Sequence, residues 1–502
     1  MSARKRSKLA VMGGLTAGAT VAVAGAAQAA TTYTVGTTDD TSAAADCAAD
    51  NTDCSLRQAI TLANGDTAFD TIEFHTGLTG TVLLGSGLPT ITAPLAIDGP
   101  GANAITISGD DAYRIFHINQ TSNGAGTTID RLTLTHGRTP GADLNAIFPT
   151  NAGGAILNEN GSLTVSHSVL TGNTAGGYGG AIESGGASGA GQSAYLYLSD
   201  STVSGNSVDA DGWGGGGVYL NYGGAAIDKI TVSGNHAPYA GGGIVLSTMN
   251  SHVSISNSTI AGNSEAMVDV EVGGTFGGGG GLYSLKNEHG IALMNSTVAG
   301  NSAARGGGIF SEGRGGGSEL PWTIDNTIVA TNSAATDPDL GIDPGSDGSF
   351  DTSFDLIKNP GAAPITETVA GSNVIGVDPK LGPLAENGAL NGTQTMAPEC
   401  ESPAIDKGNS PFFLTDDQRG FTRPVDLGDY PNSTAVDADG SDIGAVELET
   451  TPLTTCTPPP PPGGTTPVGP TGRRATALKK CKKKKPAQAR KKCKKKANRL
   501  PV

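Results

Sequence analysis

Aromatic residues are scarce in this chain, at 5%, and so are charged residues, at 16%. Past the first thirty residues no stretch reaches about 18 consecutive apolar residues, which leaves no candidate membrane-spanning helix. No repeat carries a helical stripe of apolar residues. HExxH, paired CxxC, Gly-x-Ser-x-Gly and P-loop motifs are all missing, which removes the zinc, hydrolase-elbow and nucleotide chemistries that those spacings support. Glycine, in contrast, is abundant, with 76 residues in 502. It has no strict three-residue period, so the chain is not collagen-like.

The first residues read as a processing signal. Arg4, Lys5, Arg6 and Lys8 form a basic start, Leu9 to Ala27 is mildly apolar, and Ala27-Gln28-Ala29 offers a small-x-small cleavage site. The expectation is export, with residues 1–30 as signal peptide and a secreted or cell-surface destination. Charge then divides the rest. Residues 471–502 carry fifteen Lys or Arg and no acid, and the signal carries four more bases. Thirteen bases remain for residues 31–470 against all 47 acids, a balance of −34. So acidic a body excludes nucleic acid as a partner for it.

Export permits disulfides. Cys47 and Cys54 are close in sequence, and Cys400 and Cys456 flank one segment, so these are the candidate pairs. Cys481 and Cys493 sit in the basic tail. Six cysteines allow fifteen connectivities, and sequence does not choose among them.

A nine-residue unit recurs: Val165-Ser-His167-Ser-Val-Leu170-Thr-Gly172-Asn173, then Leu198 to Asn206, Ile227 to Asn235, Ile255 to Asn263 and Leu293 to Asn301. Ile324 to Asn332 is a degenerate copy with Thr331 in place of glycine, and Ile129 to Gly137 a looser one. Gly-Gly-small-apolar units alternate with it, at Gly153, Gly179, Gly215, Gly241, Gly279 and Gly306. Between glycine and polar corners lie pieces of three to five residues in which apolar residues alternate with others, as Val253 and Ile255 do, a strand pattern of period two. Such short strands bury nothing alone, but stacked about 4.8 Å apart they pair every backbone group and build one continuous core. The expected fold is therefore all-β, a right-handed parallel β-helix over residues 76–335. Its corners need positive φ from glycine. The recurrent asparagines, Asn173, Asn206, Asn235, Asn263, Asn301 and Asn332, are expected to accept αL geometry and to stack as an amide ladder with a structural role.

Open stacks need caps. Ser55-Leu-Arg-Gln58 fits a capping box, and Leu56, Ala59, Ile60 and Ala63 fall on one helical face. Residues 31–75 are read as an N-terminal cap, 336–448 as an irregular C-terminal region continuing the coil, 449–470 as a proline-rich linker and 471–502 as a disordered basic tail.

Asp53-Cys54-Ser-Leu-Arg-Gln-Ala-Ile60, with Ala63-Asn64, resembles the signature of CSLREA-domain exported bacterial proteins, with Gln58 in place of the usual Glu. Ile97-Asp-Gly-Pro-Gly-Ala-Asn103 and Ile105-Thr-Ile107-Ser-Gly109 look like the same family. The Gly-Gly-Ala-Ile units resemble the repeats of chlamydial polymorphic membrane proteins, which end in a membrane β-barrel not found here. Asn373 to Leu384, Ser402 to Gly408, Asp417 to Pro424 and Asp442 to Glu447 resemble the choice-of-anchor Q domain. The resemblance implies a β-helix displayed at the cell surface ahead of a variable anchor, and it implies no catalytic residues.

Candidate sites are few. Asp209 with Asp211, Asp269 with Glu271, and Arg305 or Arg314 lie in loops between repeats, where acids are ordinarily solvated surface. They are the candidates for an extracellular polysaccharide lyase or glycoside hydrolase, although no cluster of several Asp, a Lys and an Arg is discernible at matched positions of successive repeats. Asp437-Ala-Asp439-Gly440-Ser-Asp442 resembles part of a Ca²⁺ loop, but Leu448 stands where the distal Glu belongs, and a solvated acidic turn is the plainer reading. The histidines are dispersed, with His167 and His236 beside corners. The leading expectation is a noncatalytic display or adhesion rod tethered by its polycationic tail to anionic cell-envelope polymers. The alternatives are a polysaccharide lyase or hydrolase and a calcium-binding module. Deleting residues 471–502 should release the protein into the medium at moderate salt, because many screened contacts are lost together; unchanged retention in a cell-fractionation blot would remove the tail from the anchoring.

Overall fold

The computed structural model describes residues 29–41, 47, 52–120, 126–140, 151–185, 194–247, 251–266, 277–313, 319–411 and 413–449. The linker and tail readings for 449–470 and 471–502, the signal segment up to residue 28, Cys456, Cys481, Cys493, Asp269, Glu271 and Arg314 lie outside them, apart from Glu449.

The repeats coil as the alternation requires. Four parallel sheets of twelve, eleven, eight and six strands run the length of the body, with each turn of chain adding one strand to each sheet it visits. Twisted strands joined in parallel give this coil its right-handed sense. In one turn, Ser162–Ser166 lies in the first sheet, Val169–Thr171 in the second, Thr174–Ala175 in the small fourth, and Ile182–Gly185 in the third. The next turn repeats it in register: Val165 pairs with Leu198, Leu170 with Val203 and Ile182 with Val218. The inward residues, such as Leu163, Val165, Leu170 and Ile182, are fully buried and form one continuous core. Among the described residues no helix is long and apolar enough to cross a membrane.

Two corner types close each turn. At the first, a non-glycine residue takes positive φ: Arg131, His167, Asp200, Lys229, Asn257, Asn295, Asn326 and Phe354 occupy it in successive turns. At the second, the glycine before each ladder asparagine takes that conformation, φ +65° at Gly172 and +62° at Gly205, and Thr331 takes it at +59°. The ladder asparagines themselves do not, which corrects the expectation: their side chains are held inward, and the flanking residue absorbs the turn. Each Nδ2 donates to the next Oδ1 at 2.9 Å, from Asn173 through Asn206, Asn235, Asn263 and Asn301 to Asn332. Asp339 ends the series as a pure acceptor for Asn332, at 2.9 Å.

The coil begins before its expected start at residue 76 and stops well short of the continuation expected through residue 448. Thr32–Val35 already pairs with Asp70–Phe74, and Val374–Ile375 still pairs with Leu356–Ile357. At the start, the helix Leu56–Ala63 covers the first turns, with Ser55 Oγ accepting from Gln58 N at 3.2 Å and Leu56, Ala59, Ile60 and Ala63 buried. Cys47 and Cys54 are bonded to each other beside it.

Residues 376–449 do not continue the coil. They fold back along the outer face of the second sheet as a strap. Thr231 Oγ1 donates to Gln394 O at 2.7 Å, Thr259 Oγ1 donates to Gln418 Oε1 at 2.6 Å, and Ala445 N donates to Thr297 Oγ1 at 3.1 Å. The corner column is used as well: Asn391 donates to Asp200 at 3.1 Å, and Asn326 donates to Asp442 O at 3.0 Å. A small apolar cluster of Ile328, Ala330, Leu356, Ala404 and Ile443 lies beneath.

Replacing Asn235 with Ala breaks the ladder at its centre. Asn206 N and Nδ2 lose their common acceptor, and Val203 O and Asn263 Oδ1 lose a donor. Buried groups left without partners each cost about 1–3 kcal/mol, so a loss of about 3 kcal/mol is expected. Urea unfolding of the mature protein measures it, and an unchanged midpoint would contradict a structural role for the ladder.

Candidate functional site

The outer face of the third sheet carries one register column: His117, Leu157, Glu183, Tyr219, Val245, Tyr283 and Phe310. Its later half is packed aromatic surface, with Tyr178 and Tyr219 rings 4.9 Å apart and Trp213 5.7 Å from Tyr239. Its first turns are polar, and beside them opens a cleft of about 260 Å³. Thr90, Tyr113, Arg114, His117 and Arg138 line it.

Each of these groups is placed by a nameable piece of the fold. Arg57 and Asn64, both in the CSLREA-like motif, fix the segment that carries Thr90. Arg57 donates to Ser86 O at 2.7 Å and to Gly87 O at 2.6 Å, and Asn64 Nδ2 donates to Thr90 O at 2.8 Å. Ile91 then bridges Ile118 in parallel, which sets Thr90 beside His117. Thr90 Oγ1 and His117 Nδ1 are 3.2 Å apart, and His117 Nε2 lies 3.3 Å from Glu159 Oε1. Asn119 Nδ2 donates to the other Glu159 oxygen at 2.5 Å. The His117 contact, with Arg114 nearby, holds the Glu159 carboxyl below the usual range despite its burial. A hydroxyl and an imidazole thus stand together at the cleft wall, with a carboxylate on the far side of the imidazole.

Arg114 donates to Ala152 O and Gly153 O, and burial pulls its guanidinium down to about 10 against the opposing pull of Glu183 and Glu159. Arg138 gives one nitrogen, Nη2, to Asp209 at 3.0 Å, while Nε and Nη1 have no protein partner among the described residues. Glu183 is buried with Oε2 lacking a hydrogen-bond partner, and burial raises its carboxyl well above the ordinary range. Asn151, whose carbonyl accepts from Thr139 Oγ1 at 2.8 Å, is buried with both amide atoms unpartnered among the described residues.

The sequence candidates fare unevenly. Asp209 reaches this cleft through Arg138, while Asp211 stays exposed on its loop and Arg305 ends a strand of the fourth sheet. Asp437, Asp439 and Asp442 do not converge as a ligand set, and no cluster of three such groups suited to a metal occurs among the described residues. The reason is local: Asp442 accepts from Asp406 N and Leu448 N, and Asp439 from Ser441 N and Ser410 N, so backbone amides use their oxygens. Cys400 is half-buried in the strap.

One array escaped the sequence reading. Glu73, Asp98 and Asp130 are register neighbours on successive turns, and Arg131 bridges Asp98 and Asp130, with His167 Nδ1 2.9 Å from Asp130. Acids and an Arg therefore do share matched positions. Glu73 and Asp98 lie ahead of the first copy of the nine-residue unit, which starts at Ile129, and this hid the match. The array is solvent-facing, and Arg131 offsets part of its negative charge. His117, Thr90 and Glu159 were missed for a similar reason, since they lie on three different turns with no common motif.

The fold and site define a parallel β-helix protein with a polar cleft near its N-terminal end. No family model matches the chain, and no curated protein matches it. Among solved structures, the crystal structure of pectate lyase Pel9A aligns with a TM-score of 0.39 at 13% identity, covering 84% of this chain and 97% of that one. The structure of the PL6 family alginate lyase AlyGC aligns with a TM-score of 0.26 at 11% identity, covering 78% and 57%. Likeness at this level carries no argument about the cleft.

Glu183 sets a pH dependence. Its folded pKa lies above the ordinary 4.5, so its contribution to stability is complete below about pH 4.5 and is lost as pH rises toward the folded value. The urea midpoint of Glu183→Gln should therefore fall less than that of wild type between mildly acidic and mildly alkaline buffer. Parallel pH curves for the two proteins would contradict a buried, protonated Glu183.

Proposed function

We propose that this chain is an extracellular polysaccharide-acting protein whose working site is the cleft formed by Thr90, Tyr113, Arg114, His117 and Arg138. The observation that carries the reading is the His117–Glu159 pair, a proton-transfer group with its orienting carboxylate, set in a concave wall beside an Arg138 with open donors. Saccharide hydroxyls both donate and accept, and they match the half-used guanidinium of Arg138 in the cleft lining. This is lyase or hydrolase chemistry: His117 moves the proton, Glu159 holds the imidazole in place, and Arg138 steadies developing negative charge.

The CSLREA-like and anchor-Q-like motifs, the signal-like start and the basic tail support placement at the cell envelope, with the tail bound to anionic polymers. A second reading, noncatalytic display or adhesion, is favoured by the stiffness that an unbroken amide ladder and a docked strap give the body. The two readings separate in one screen. The mature protein is incubated with neutral and anionic polysaccharides, with and without Ca²⁺, and new reducing ends and unsaturated-uronide absorbance are followed. Turnover that falls about a hundredfold or more in His117→Ala is expected. Silence across the panel, with binding retained, would leave the display reading in its place.

A further inference from the structure

We infer that Thr90 is an activated nucleophile and that the cleft hydrolyses carboxylic esters, the natural carrier being an O-acyl group on a bound saccharide. The geometry points to it. Thr90 Oγ1 lies 3.2 Å from His117 Nδ1, His117 Nε2 lies 3.3 Å from Glu159 Oε1, and Asn119 steadies Glu159 from behind. Nucleophile, base and orienting carboxylate in this order are recognised by geometry and role on any fold. Thr90 and His117 both face the cleft, so an acyl carbonyl can reach the hydroxyl. The Thr90 backbone does not drift, because Asn64 holds its carbonyl at 2.8 Å and also accepts from Thr92 N at 2.9 Å. Arg138, with Nε and Nη1 unengaged by protein among the described residues, supplies donors for the oxygen that becomes negative in the tetrahedral intermediate.

The step balances without a further reactant. Thr90 Oγ bonds to the acyl carbon while His117 takes its proton. The intermediate collapses, the ester C–O bond breaks, and the leaving alkoxide takes the proton back from His117. Water, deprotonated by His117, then attacks the acyl-Thr90 ester, releasing the carboxylic acid and restoring the hydroxyl. Glu159 remains ionised throughout and acts as a positioning residue. Only the identity of the acyl carrier rests on the saccharide reading. Small esters therefore test the chemistry separately.

The test uses the mature full-length protein with p-nitrophenyl acetate, and with a fluorophosphonate probe followed by intact-mass and peptide mapping. Wild type should turn over the ester and gain one probe mass on the peptide containing Thr90. Thr90→Ala should lose the adduct and about a hundredfold or more of the rate, whereas Thr90→Ser, which keeps the hydroxyl, should retain both. Glu159→Gln should keep the Thr90 adduct, slow its formation and shift the pH–rate profile, a readout that a purely structural role would not move. Ester turnover that survives Thr90→Ala, an adduct at another residue, or no turnover and no adduct in a protein with its normal urea midpoint would each overturn the inference. Glycan cleavage in the polysaccharide screen, with no ester turnover here, would sink the ester chemistry and leave the polysaccharide reading standing.

Discussion

Register between successive turns is the constraint on which everything else in this molecule depends. A parallel strand pair slipped by one residue would send its inward side chains to solvent. Here the strands are only two to five residues long, too short to fix their own register by hydrogen bonding alone. The buried asparagine column supplies the missing specification. Each amide is bonded to the amides before and after it and to a backbone carbonyl, so a slipped turn would strand several buried polar groups at once. Specificity of this kind comes from the cost of wrong pairings more than from the net gain of right ones.

With register fixed, long-range placements follow that no local segment encodes. His117 and Glu183 come to flank Leu157 because three turns stack in phase. Thr90 meets His117 because the capping helix and its flanking residues pin the chain between two strands. The same logic operates on the opposite side. Threonines dominate one column of the second sheet from Thr133 to Thr297, interrupted by Val169. Thr133 and Thr202 are half-exposed, while Thr231, Thr259 and Thr297 are buried under the strap. Further along, the column turns apolar at Ile328 and Leu356, where the strap's Ala404 and Ile443 pack.

The strap gives the anchor-Q-like motifs a physical meaning. Gln418 bonds to Ile230 O and Thr259, and Asp442 O and Asn326 join the strap to a corner. Arg423 and Glu447 form a fully buried ion pair 3.0 Å apart, and Asp417 pairs with Arg419. Buried pairs of this kind add little net stability but are costly to break singly, so they specify one arrangement of a segment that has almost no regular secondary structure. The polar residues of these motifs hold the strap together and hold it to the coil.

The sequence alone determined the architecture: nine-residue units with alternating apolar positions have no other way to bury their short strands, and the Ser55–Gln58 cap and the Asn173–Asn332 column were readable because neighbouring residues encode them. It did not determine where the coil ends, since the apolar outward positions Ile328 and Leu356 signal a cover but not which segment supplies it. Nor did it determine the cleft. Thr90 and His117 lie on two successive turns and Arg138 and Glu159 on the next, and the loops within and between turns vary in length, so no spacing in the sequence brings them together. Only the stacked structure measures distance across turns, and there residues 27 and 42 positions apart come within about 3.3 Å of each other.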